Sequence, residues 1–458
     1  MISNKLDAAN SEKKYLLELT TVAEDPTVYQ TLALLYQQED DLENAKKFYE
    51  KALFLKPDYV KCYLYLSLVY SLEYDYEKAQ ELILKAIELT KGSDKVYESY
   101  LFLAKLYDKA EIFDKAFEIY AELIQARYEN YEMMLNFSLL CLKLNRYIDG
   151  FSFYRYRYHP GINKRQKLVA SIELLDKNKS IDGKKILIIG EQGNGDVIQF
   201  IRYLPMFIKQ NAKIFVVVDL LVLDLFKTSY PEISFSNQIP DTADYDYMIP
   251  IGDAPYYFST TYENIPYQEK YLFAGKQSSK NIYEKYFKNE IKKKVGIIWR
   301  SNKSNSKNET LKDIKERETY NIPLAVYIKY FKNENIKLYS LQIAVTVEER
   351  NLLEQNNIES LGDSFVTFYD NASVIDNLDV VISINTASGL LSGAMGKETI
   401  ILLAHNTDWR WGISGHTTNW YKTVHIARQV NHEGWESLIK RTTKFEELLS
   451  SKTNFINI

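Results

Sequence analysis

The segment from Lys184 to Arg202 joins a short apolar run to a glycine-rich turn and a helix. The run Ile186–Ile189 has no polar interruption, which is typical of a strand buried on both faces of a parallel sheet. Glycine lets the backbone turn sharply and approach a ligand, and the following helix opens with free amides facing the turn. The segment therefore predicts an anion-facing site at the carboxyl end of a strand. Its three glycines are Gly190, Gly193 and Gly195.

The chemistry of this turn leaves two interpretations of Asp196 open. The glycine order differs from the dinucleotide fingerprint, and the Lys-Ser/Thr pair of a P-loop is missing. Asp196 can be the functional carboxylate of the site. Alternatively, since Asp196-x-x-Gln199 resembles a capping box, the carboxylate can cap its own helix.

Length and composition bound the class of protein. A chain of 458 residues is too long for one core, so we expect two or three domains. A hydrophobic content of 46% and a charged content of 26% are those of a soluble globular protein. The formal net charge of −4 argues against binding of nucleic acid through general basicity.

Targeting segments and metal-ligand spacings are not predicted. The stretch 1–14 is polar, and no apolar run approaches the roughly 20 residues that span a bilayer. The two cysteines, Cys62 and Cys141, are far apart, and the five histidines are scattered singly. We therefore expect a cytoplasmic protein with no transmembrane segment, no metal and no cofactor.

Residues 26 to about 158 carry a helical repeat. Small, aromatic and proline anchors recur in the order of a tetratricopeptide repeat, with intervals of 34, 37 and 34 residues between first anchors. Such helix pairs stack, and the array commonly binds a peptide or protein; alternatively it serves as a dimer interface or braces the next domain. The anchors of four copies are Ala33, Tyr36, Ala45, Tyr49, Ala52 and Pro57; Ser67, Tyr70, Ala79, Ile83 and Ala86; Ala104, Tyr107, Ala116 and Tyr120; and Ser138, Gly150 and Tyr154.

Two blocks in which strands alternate with helices follow the repeats. The first has predicted strands at 186–190, 213–219 and 246–250, and the second at 295–299, 337–342, 379–384, 399–404 and 423–427, before a helix at 433–450. This order predicts two doubly wound domains facing each other across a cleft. The predicted division is a repeat array at 1–160, a linker at 161–183, an N-terminal Rossmann-like domain at 184–290 and a C-terminal one at 291–458.

Several sequence blocks resemble one known family. The blocks, in chain order, are Asp149-Gly-x-x-x-Tyr154-Arg-x-Arg157, Glu191-Gln-Gly-x-Gly-Asp196-x-Ile-Gln199-Phe-x-Arg202-Tyr-x-Pro205, Val295–Trp299, Asn377–Ser383, Asp408-Trp-Arg-Trp411 and Trp420-Tyr421 through Arg428-Gln429. They are similar to bacterial proteins that join tetratricopeptide repeats to a glycosyltransferase of family 9, the heptosyltransferase family, with the GT-B fold. The resemblance covers roughly residues 26 to 445.

The resemblance implies metal-independent transfer of a sugar from a nucleotide donor. Asp196 matches the aspartate proposed as general base in the heptosyltransferases, a role worth about 10²–10⁴-fold in rate. The diphosphate of the donor would lie at the helix N-terminus of the second domain, where amides bind it without metal. That segment is Asn385, Thr386, Ala387, Ser388 and Gly389.

The donor segment departs from the family pattern. The family usually has Asp-Thr followed four residues later by His, whereas this chain has Asn385-Thr386 and Leu390. Losing the carboxylate removes a repelling charge, but losing the histidine removes a plausible phosphate contact. The departure predicts either a different donor or a weakened site, and plain helix capping remains an alternative for Asn385 and Thr386.

Further candidates flank these segments. Arg410 can reach a phosphate and Trp409 can stack on a base, although the tryptophans can equally plug the space between domains. On the donor side, Trp299 ends a strand, and the cations of the next loop can close over the donor or remain solvated: Arg300, Lys303, Lys307 and Arg317. On the acceptor side we place Glu191, Gln192, Gly193, Gly195 and Gln199, while Arg202 is expected to brace its helix.

A metal site at Asp244-Tyr-Asp246 is disfavoured, because this Asp-x-Asp precedes a strand without a supporting carboxylate. The leading hypothesis is a transferase whose repeats present a flagellin- or adhesin-like protein. The second is a non-catalytic interaction scaffold with a degenerate transferase domain, and the third is a transferase acting on lipopolysaccharide or another glycan. In the third, the repeats serve assembly, and oligomerisation through the repeats is possible in each.

Overall fold

The computed structural model describes residues 2–159, 172–301, 319–405, 408–430 and 433–442. The chain forms two compact units. The first comprises the residues up to Leu140, and the second begins at Cys141. The predicted array end at 160 therefore differs from the observed division, which assigns residues 141–159 to the second unit.

The first unit is a series of antiparallel helix pairs. Asp25, Asp41 and Asp75 each accept a backbone N–H at a helix start, and Pro26 opens its helix at a position where no N–H is needed. The helices of the repeat region are α1 (Ile2–Leu19), α2 (Pro26–Gln38), α3 (Leu42–Leu55), α4 (Val60–Leu72), α5 (Tyr76–Thr90), α6 (Val96–Lys109), α7 (Phe113–Gln125), α8 (Tyr131–Lys143) and α9 (Tyr147–Tyr154).

The small repeat anchors lie in the core between paired helices, as predicted. Ala33, Ala45 and Ala52 are fully buried, so that neighbouring helix backbones approach closely. Tyr49 fills the remaining groove and donates its hydroxyl to Gln37 Oε1 at 2.9 Å. The same burial recurs in the later copies, at Ala79, Ala86, Ala104, Ala116 and Tyr120.

The second unit contains two parallel sheets. The first sheet has the order β3-β2-β1-β4, and every neighbouring pair in it is parallel. Ile186 to Ile188 of its central strand are fully buried, as expected for a strand covered on both faces. Its strands are β1 (Lys185–Ile189), β2 (Lys213–Val217), β3 (Ser234–Ser236) and β4 (Tyr247–Pro250).

The second sheet has seven strands in the order β10-β11-β9-β8-β5-β6-β7. Only the β10–β11 pair is antiparallel. We call the regions around the first and second sheets the first and second lobes. The strands are β5 (Lys293–Ile298), β6 (Ile336–Ser340), β7 (Glu359–Ser360), β8 (Val380–Ile384), β9 (Glu398–Leu403), β10 (Thr417–Thr418) and β11 (Tyr421–Arg428).

Helices alternate with these strands, which confirms the predicted fold class of helical repeats followed by two Rossmann-like sheets. The eight predicted strands are present, while the short strands β3, β7 and β10 were not predicted. The described part of the C-terminal helix is shorter than the predicted 433–450. The helices are α10 (Asn194–Phe200), α11 (Leu204–Lys209), α12 (Leu220–Ser229), α13 (Ala254–Tyr257), α14 (Lys276–Ile282), α15 (Leu324–Phe331), α16 (Val347–Gln355), α17 (Phe368–Ile375), α18 (Ala387–Ala394) and α19 (Trp435–Thr442).

Candidate functional site

The glycine turn after β1 leads directly into α10, and Asp196 is the third residue of that helix. Gly193 is the N-cap residue, and its backbone N–H donates to Asp196 Oδ2 at 3.1 Å. One carboxylate oxygen therefore does cap its own helix. The sequence predicted a capping box in which Asp196 is the N-cap residue. In the structure the N-cap is Gly193, three residues earlier, and Asp196 is the third residue of the helix.

The other carboxylate oxygen of Asp196 accepts a hydrogen bond from Arg410 Nη2 and forms an ion pair between the two lobes. The same guanidinium donates from Nε to Gln199 Oε1 and from Nη1 to Asp408 Oδ2. The Asp196 side chain is 21% exposed and that of Arg410 is 8% exposed. Burial lowers the pKa of Arg410 from its ordinary value.

Helices α10 and α18 pack directly against each other beside this ion pair. A Cβ added at Gly195 would lie 3.1 Å from Leu390 Cδ1 and 3.6 Å from Ala387 Cα. The glycine is thus required for close approach of the lobes. The sequence predicted an open cleft here, with the carboxylate facing an amide-lined pocket. In the structure the two helices are in contact at that point, because Gly195 has no side chain and Leu390 fills the space beside it.

The predicted donor segment forms the start of α18. Thr386 is its N-cap and accepts the backbone N–H of Gly389 at Oγ1, at 3.1 Å, which is the capping alternative. Ser388 Oγ accepts Asn371 Nδ2 at 2.6 Å. Asn385 is exposed, whereas Ala387 and Ser388 are half-buried and Gly389 is buried.

Trp409 lies in an aromatic cluster rather than on an open surface. Its ring centroid is 6.4 Å from that of Phe200 in stacked geometry, and 5.8 Å from those of Phe151 and Trp420. Only 5% of Trp409 is exposed. This environment corresponds to the plug interpretation, because the faces of the indole ring are already covered by aromatic neighbours.

Glu191 belongs to a buried charge network instead of lining the site. Its Oε1 accepts Arg157 Nη2 at 2.9 Å, the Tyr158 hydroxyl at 2.8 Å and the backbone N–H of Gly252 at 3.2 Å. Arg157 also pairs with Asp253 at 2.7 Å. These contacts hold the segment that follows α9, and the acceptor-side assignment of Glu191 remains a prediction.

Charge pairing in this network acts against burial. Burial alone would lower the pKa of Arg157, but Asp253, Tyr158 and Glu191 outweigh it and raise the pKa well above its ordinary value. Burial raises the pKa of Asp253, and the attraction of Arg157 only partly offsets that effect. Each member is therefore costly to leave without its partner.

Two neighbouring amide side chains also have defined positions. Gln192 has left-handed backbone geometry, with φ of 65°, and accepts the Tyr154 hydroxyl at 2.9 Å. Gln199 is fully buried, and its Nε2 has no hydrogen-bond partner within the described part of the chain. Arg202 is fully buried and donates from Nε to Gln199 O at the end of α10, which braces its helix as expected. It also donates from Nη1 to Trp420 O of the second lobe.

The candidates at the end of β5 are engaged elsewhere. Trp299 Nε1 donates to Glu349 Oε1 at 2.6 Å, and Arg300 Nη2 donates to Glu349 Oε2 at 2.9 Å. Trp299 is 1% exposed, so it offers almost no surface to a donor in this structure, and its donor-side assignment remains a prediction. The remaining predicted loop cations lie outside the described residues: Lys303, Lys307 and Arg317.

The Asp-x-Asp sequence has a structural use. Asp246 accepts Lys184 Nζ at 3.0 Å and the backbone N–H of Lys185 at 2.8 Å, which ties β4 to the start of β1. Asp244 ends a short 3₁₀ turn. Within the described ranges, no group of three or more His, Cys, Asp or Glu side chains has an arrangement that could hold a metal ion.

Sequence reasoning assigned no role to three groups that complete the site. Asp408 shares Arg410 with Asp196, while Arg157 and Asp253 hold the turn from behind. Arg155 and Arg157, which follow the aromatic end of α9, were a usable signal for this network. Buried cations are rarely unpaired, so two arginines beside buried aromatic residues indicate carboxylate partners. Asp253 carried no such signal, since its partner lies almost a hundred residues away.

Three comparisons relate the chain to known proteins. Residues 26–59 match the family model of the tetratricopeptide repeat. Protein FlbA of Caulobacter vibrioides (strain ATCC 19089 / CIP 103742 / CB 15) is 22% identical over 330 residues, which are 66% of this chain and 52% of that protein. The chain thus spans about half the length of the curated relative it matches.

Among solved structures, a glycosyl transferase family 9 protein from Veillonella parvula DSM 2008 aligns with a TM-score of 0.42 at 11% identity, covering 60% of this chain and 99% of that one. YrrB, described as a TPR protein with an unusual peptide-binding site, aligns with a TM-score of 0.26 at 20% identity, covering 34% and 76%. Among the described residues, no helix has the length and apolar character that crossing a bilayer requires.

Proposed function

We propose that the chain is a glycosyltransferase of GT-B architecture, which moves a sugar from a nucleotide donor to an acceptor hydroxyl with Asp196 as general base. One observation carries the proposal. Asp196 follows β1 of the first sheet, remains partly exposed, and meets Arg410, which follows β9 of the second sheet. The carboxyl edges of parallel strands are where α/β proteins bind ligands, and here the two edges converge on one pair of opposite charges.

The proposed chemistry uses only groups of this chain. Asp196 takes the proton of the acceptor hydroxyl while that oxygen bonds to the anomeric carbon. The bond between this carbon and the phosphate oxygen breaks, and the nucleoside diphosphate leaves with the bonding pair. Arg410 and the N-terminal amides of α18 are suited to bind that anion. The contact between α10 and α18 means that the lobes must separate before a donor enters.

The acceptor in this proposal is a protein of the flagellin or adhesin kind, held by the repeats. The repeat match at residues 26–59 and the buried anchors of the array support a protein-binding role for this unit. A glycan acceptor is the alternative within the same chemistry, and the expected cytoplasmic location belongs to the proposal as well. A variant that lacks the first unit distinguishes a protein acceptor from a glycan acceptor, because an enzyme that acts on a glycan keeps its turnover without the repeats.

A non-catalytic scaffold is the second candidate, and the packing of Gly195 on Leu390 favours it. Leu390 replaces a residue that is usually histidine in the resembling family, and it closes the region where a donor would lie. In this reading the second unit is a folded relic, and the repeats alone carry the function.

Calorimetry with a panel of UDP-, GDP-, ADP- and CMP-sugars separates the two candidates. A transferase binds at least one donor and slowly hydrolyses it, so that the nucleotide is released and the sugar passes to water. It also modifies a co-expressed acceptor, which intact-mass spectrometry detects. The Asp196→Ala variant should bind that donor but transfer the sugar about 10²–10⁴-fold more slowly. Binding of no donor by the full chain would leave only the scaffold.

A further inference from the structure

We infer that the Asp196–Arg410 pair is an autoinhibitory latch: without donor, each group occupies the other, and a nucleoside diphosphate that binds Arg410 releases Asp196 for catalysis. This inference rests on the proposed function and specifies how that same site is regulated. It treats the closed arrangement as the resting state of the protein.

The hydrogen bonds of Arg410 are divided between the first lobe and its own loop. Nε and Nη2 donate to Gln199 and Asp196, which lie on α10 of the first lobe, whereas Nη1 donates to Asp408 on its own loop. A planar guanidinium is shaped for paired bonds to carboxylate or phosphate oxygens. The groups of the first lobe therefore occupy the donors that a phosphate would use.

Helices α10 and α18 leave little space beside the Asp196–Arg410 pair. Gly195 lies against Leu390 and Ala387, so α10 covers the start of α18. A diphosphate at those amides requires α10 to move away from α18. Because Asp196 and Gln199 belong to α10, the same movement breaks both of their bonds to Arg410.

The closed arrangement leaves one buried side-chain amide, that of Gln199, without a full set of hydrogen bonds among the described residues. Gln199 Nε2 is buried without a hydrogen-bond partner among the described residues, which is a cost that opening to water or ligand removes. Asp196 and Asp408 also surround a single guanidinium, leaving one net negative charge. An incoming anion is repelled until Asp196 withdraws, so the latch excludes phosphate as long as it is closed.

Coupling of the two events has a chemical consequence. The base becomes available only after the donor phosphate has replaced it on Arg410. Asp196 is thereby kept from acting as a base before the donor is bound. In an incomplete complex it would activate water instead of the acceptor hydroxyl.

Nucleotide affinity of matched variants tests the latch. Dissociation constants for UDP, GDP and ADP are measured by calorimetry on the full chain and on Asp196→Asn, Asp196→Ala, Asp408→Asn and Arg410→Gln variants. Asparagine at 196 keeps an acceptor for the Gly193 N–H while removing the charge that holds Arg410. Asp408→Asn is the matched control, since it removes a charge from the same guanidinium without breaking a bond between the lobes.

The latch predicts that both Asp196 variants bind the preferred nucleotide about 5- to 100-fold more tightly, because the competent fraction of the protein rises. Asp408→Asn should change affinity by less than about threefold, and Arg410→Gln should weaken it by about tenfold or more. Equal tightening by the Asp196 and Asp408 variants would mean that only charge was removed, and this would overturn the latch.

Unchanged or weaker binding by both Asp196 variants would also overturn the latch, while nucleotide binding by the wild-type chain would leave the proposed function intact. If neither the wild-type chain nor any folded variant binds a nucleotide, the proposed function and the latch fall together. Two different substitutions at 196 guard against a folding defect in either one.

Discussion

The hydroxyl of Tyr147 accepts a hydrogen bond from Trp420 Nε1 at 3.0 Å. Tyr147 begins α9, the second helix of the last predicted repeat, whereas Trp420 precedes the last strand of the second lobe. The ring centroids are 5.8 Å apart, and both side chains are almost fully buried. The last repeat helix is thus a part of the core of the second unit.

This packing predicts different outcomes for two truncations. A fragment that begins at 141 should fold cooperatively, because it keeps Tyr147, Phe151 and Arg157. A fragment that begins at 161 loses three buried aromatic side chains, those of Tyr147, Phe151 and Tyr154, at about 3–5 kcal/mol each, together with the buried cation of Arg157. We expect the second fragment to be insoluble or to bind a hydrophobic dye. Thermal scans and size-exclusion chromatography compare the two, and equal stability would contradict the assignment of α9 to this unit.

Removing Arg157 should destabilise the second unit strongly. Arg157→Met leaves Glu191 buried without this cation and leaves Asp253 with Arg155 alone, which costs about 3–5 kcal/mol. Arg155→Met is the matched control, since Arg155 pairs with Asp253 from a position that is 27% exposed, and about 1 kcal/mol or less is expected. Urea denaturation followed by tryptophan emission measures both changes. A loss for Arg157→Met no larger than for the control would show that the network contributes little.

Asp196→Ala should lower sugar transfer by about 10²–10⁴-fold if the carboxylate is the general base. The fold should survive, because Gly193 is exposed and water can replace the lost capping bond. The rate is measured as modified acceptor by intact-mass spectrometry, at saturating donor. Gln199→Leu controls for general damage to α10, because it removes another partner of Arg410 without removing the base. Wild-type turnover by Asp196→Ala would refute the assigned base.

Glu349 should make the second lobe sensitive to acid. Burial opposes its ionisation, but hydrogen bonds from Arg300, Trp299 and the Thr346 backbone outweigh this and lower the pKa below the model-peptide value of 4.5. A carboxyl group whose pKa is lower in the folded state than in the unfolded state stabilises the protein at pH values above the unfolded-state pKa. This stabilisation is lost as the pH falls through the folded-state pKa.

Thermal melts from pH 7 to pH 3 should therefore show a decline that begins near pH 4.5. Glu349→Gln keeps an acceptor for the Trp299 indole but loses the charge. It should be less stable by about 1–2 kcal/mol at pH 7 and show a flatter acid decline. Parallel curves for the two proteins would exclude this carboxylate as a source of the acid sensitivity.

Local patterns predicted much of the fold. Uninterrupted apolar runs such as Ile186–Ile189 identified the buried strands, and small residues at repeat spacing, such as Ala45, identified the helix pairs. The short strands β3, β7 and β10 lack such runs, because two or three residues gain their pairing from neighbours in the sheet. The place of α9 in the second unit was also missed, because its partner Trp420 lies far away in the sequence.

The sequence pointed to both members of the Asp196–Arg410 pair but not to the geometry around them. The glycine turn indicated that Asp196 matters, and the Trp409–Trp411 segment supplied its partner Arg410. Nothing in sequence spacing states that two helix starts, at Gly195 and Ala387, lie in contact. Such long-range contacts depend on how the lobes close, which is a property of the whole packed unit.

The aromatic cluster around Trp409 has a practical consequence. All five tryptophans of the chain, at positions 299, 409, 411, 420 and 435, belong to the second unit. Indole emission therefore monitors that unit by itself, whereas far-ultraviolet dichroism is weighted toward the helical array. If the melting curves from indole emission and from far-ultraviolet dichroism do not coincide, they resolve the unfolding of the two units in an unlabelled sample.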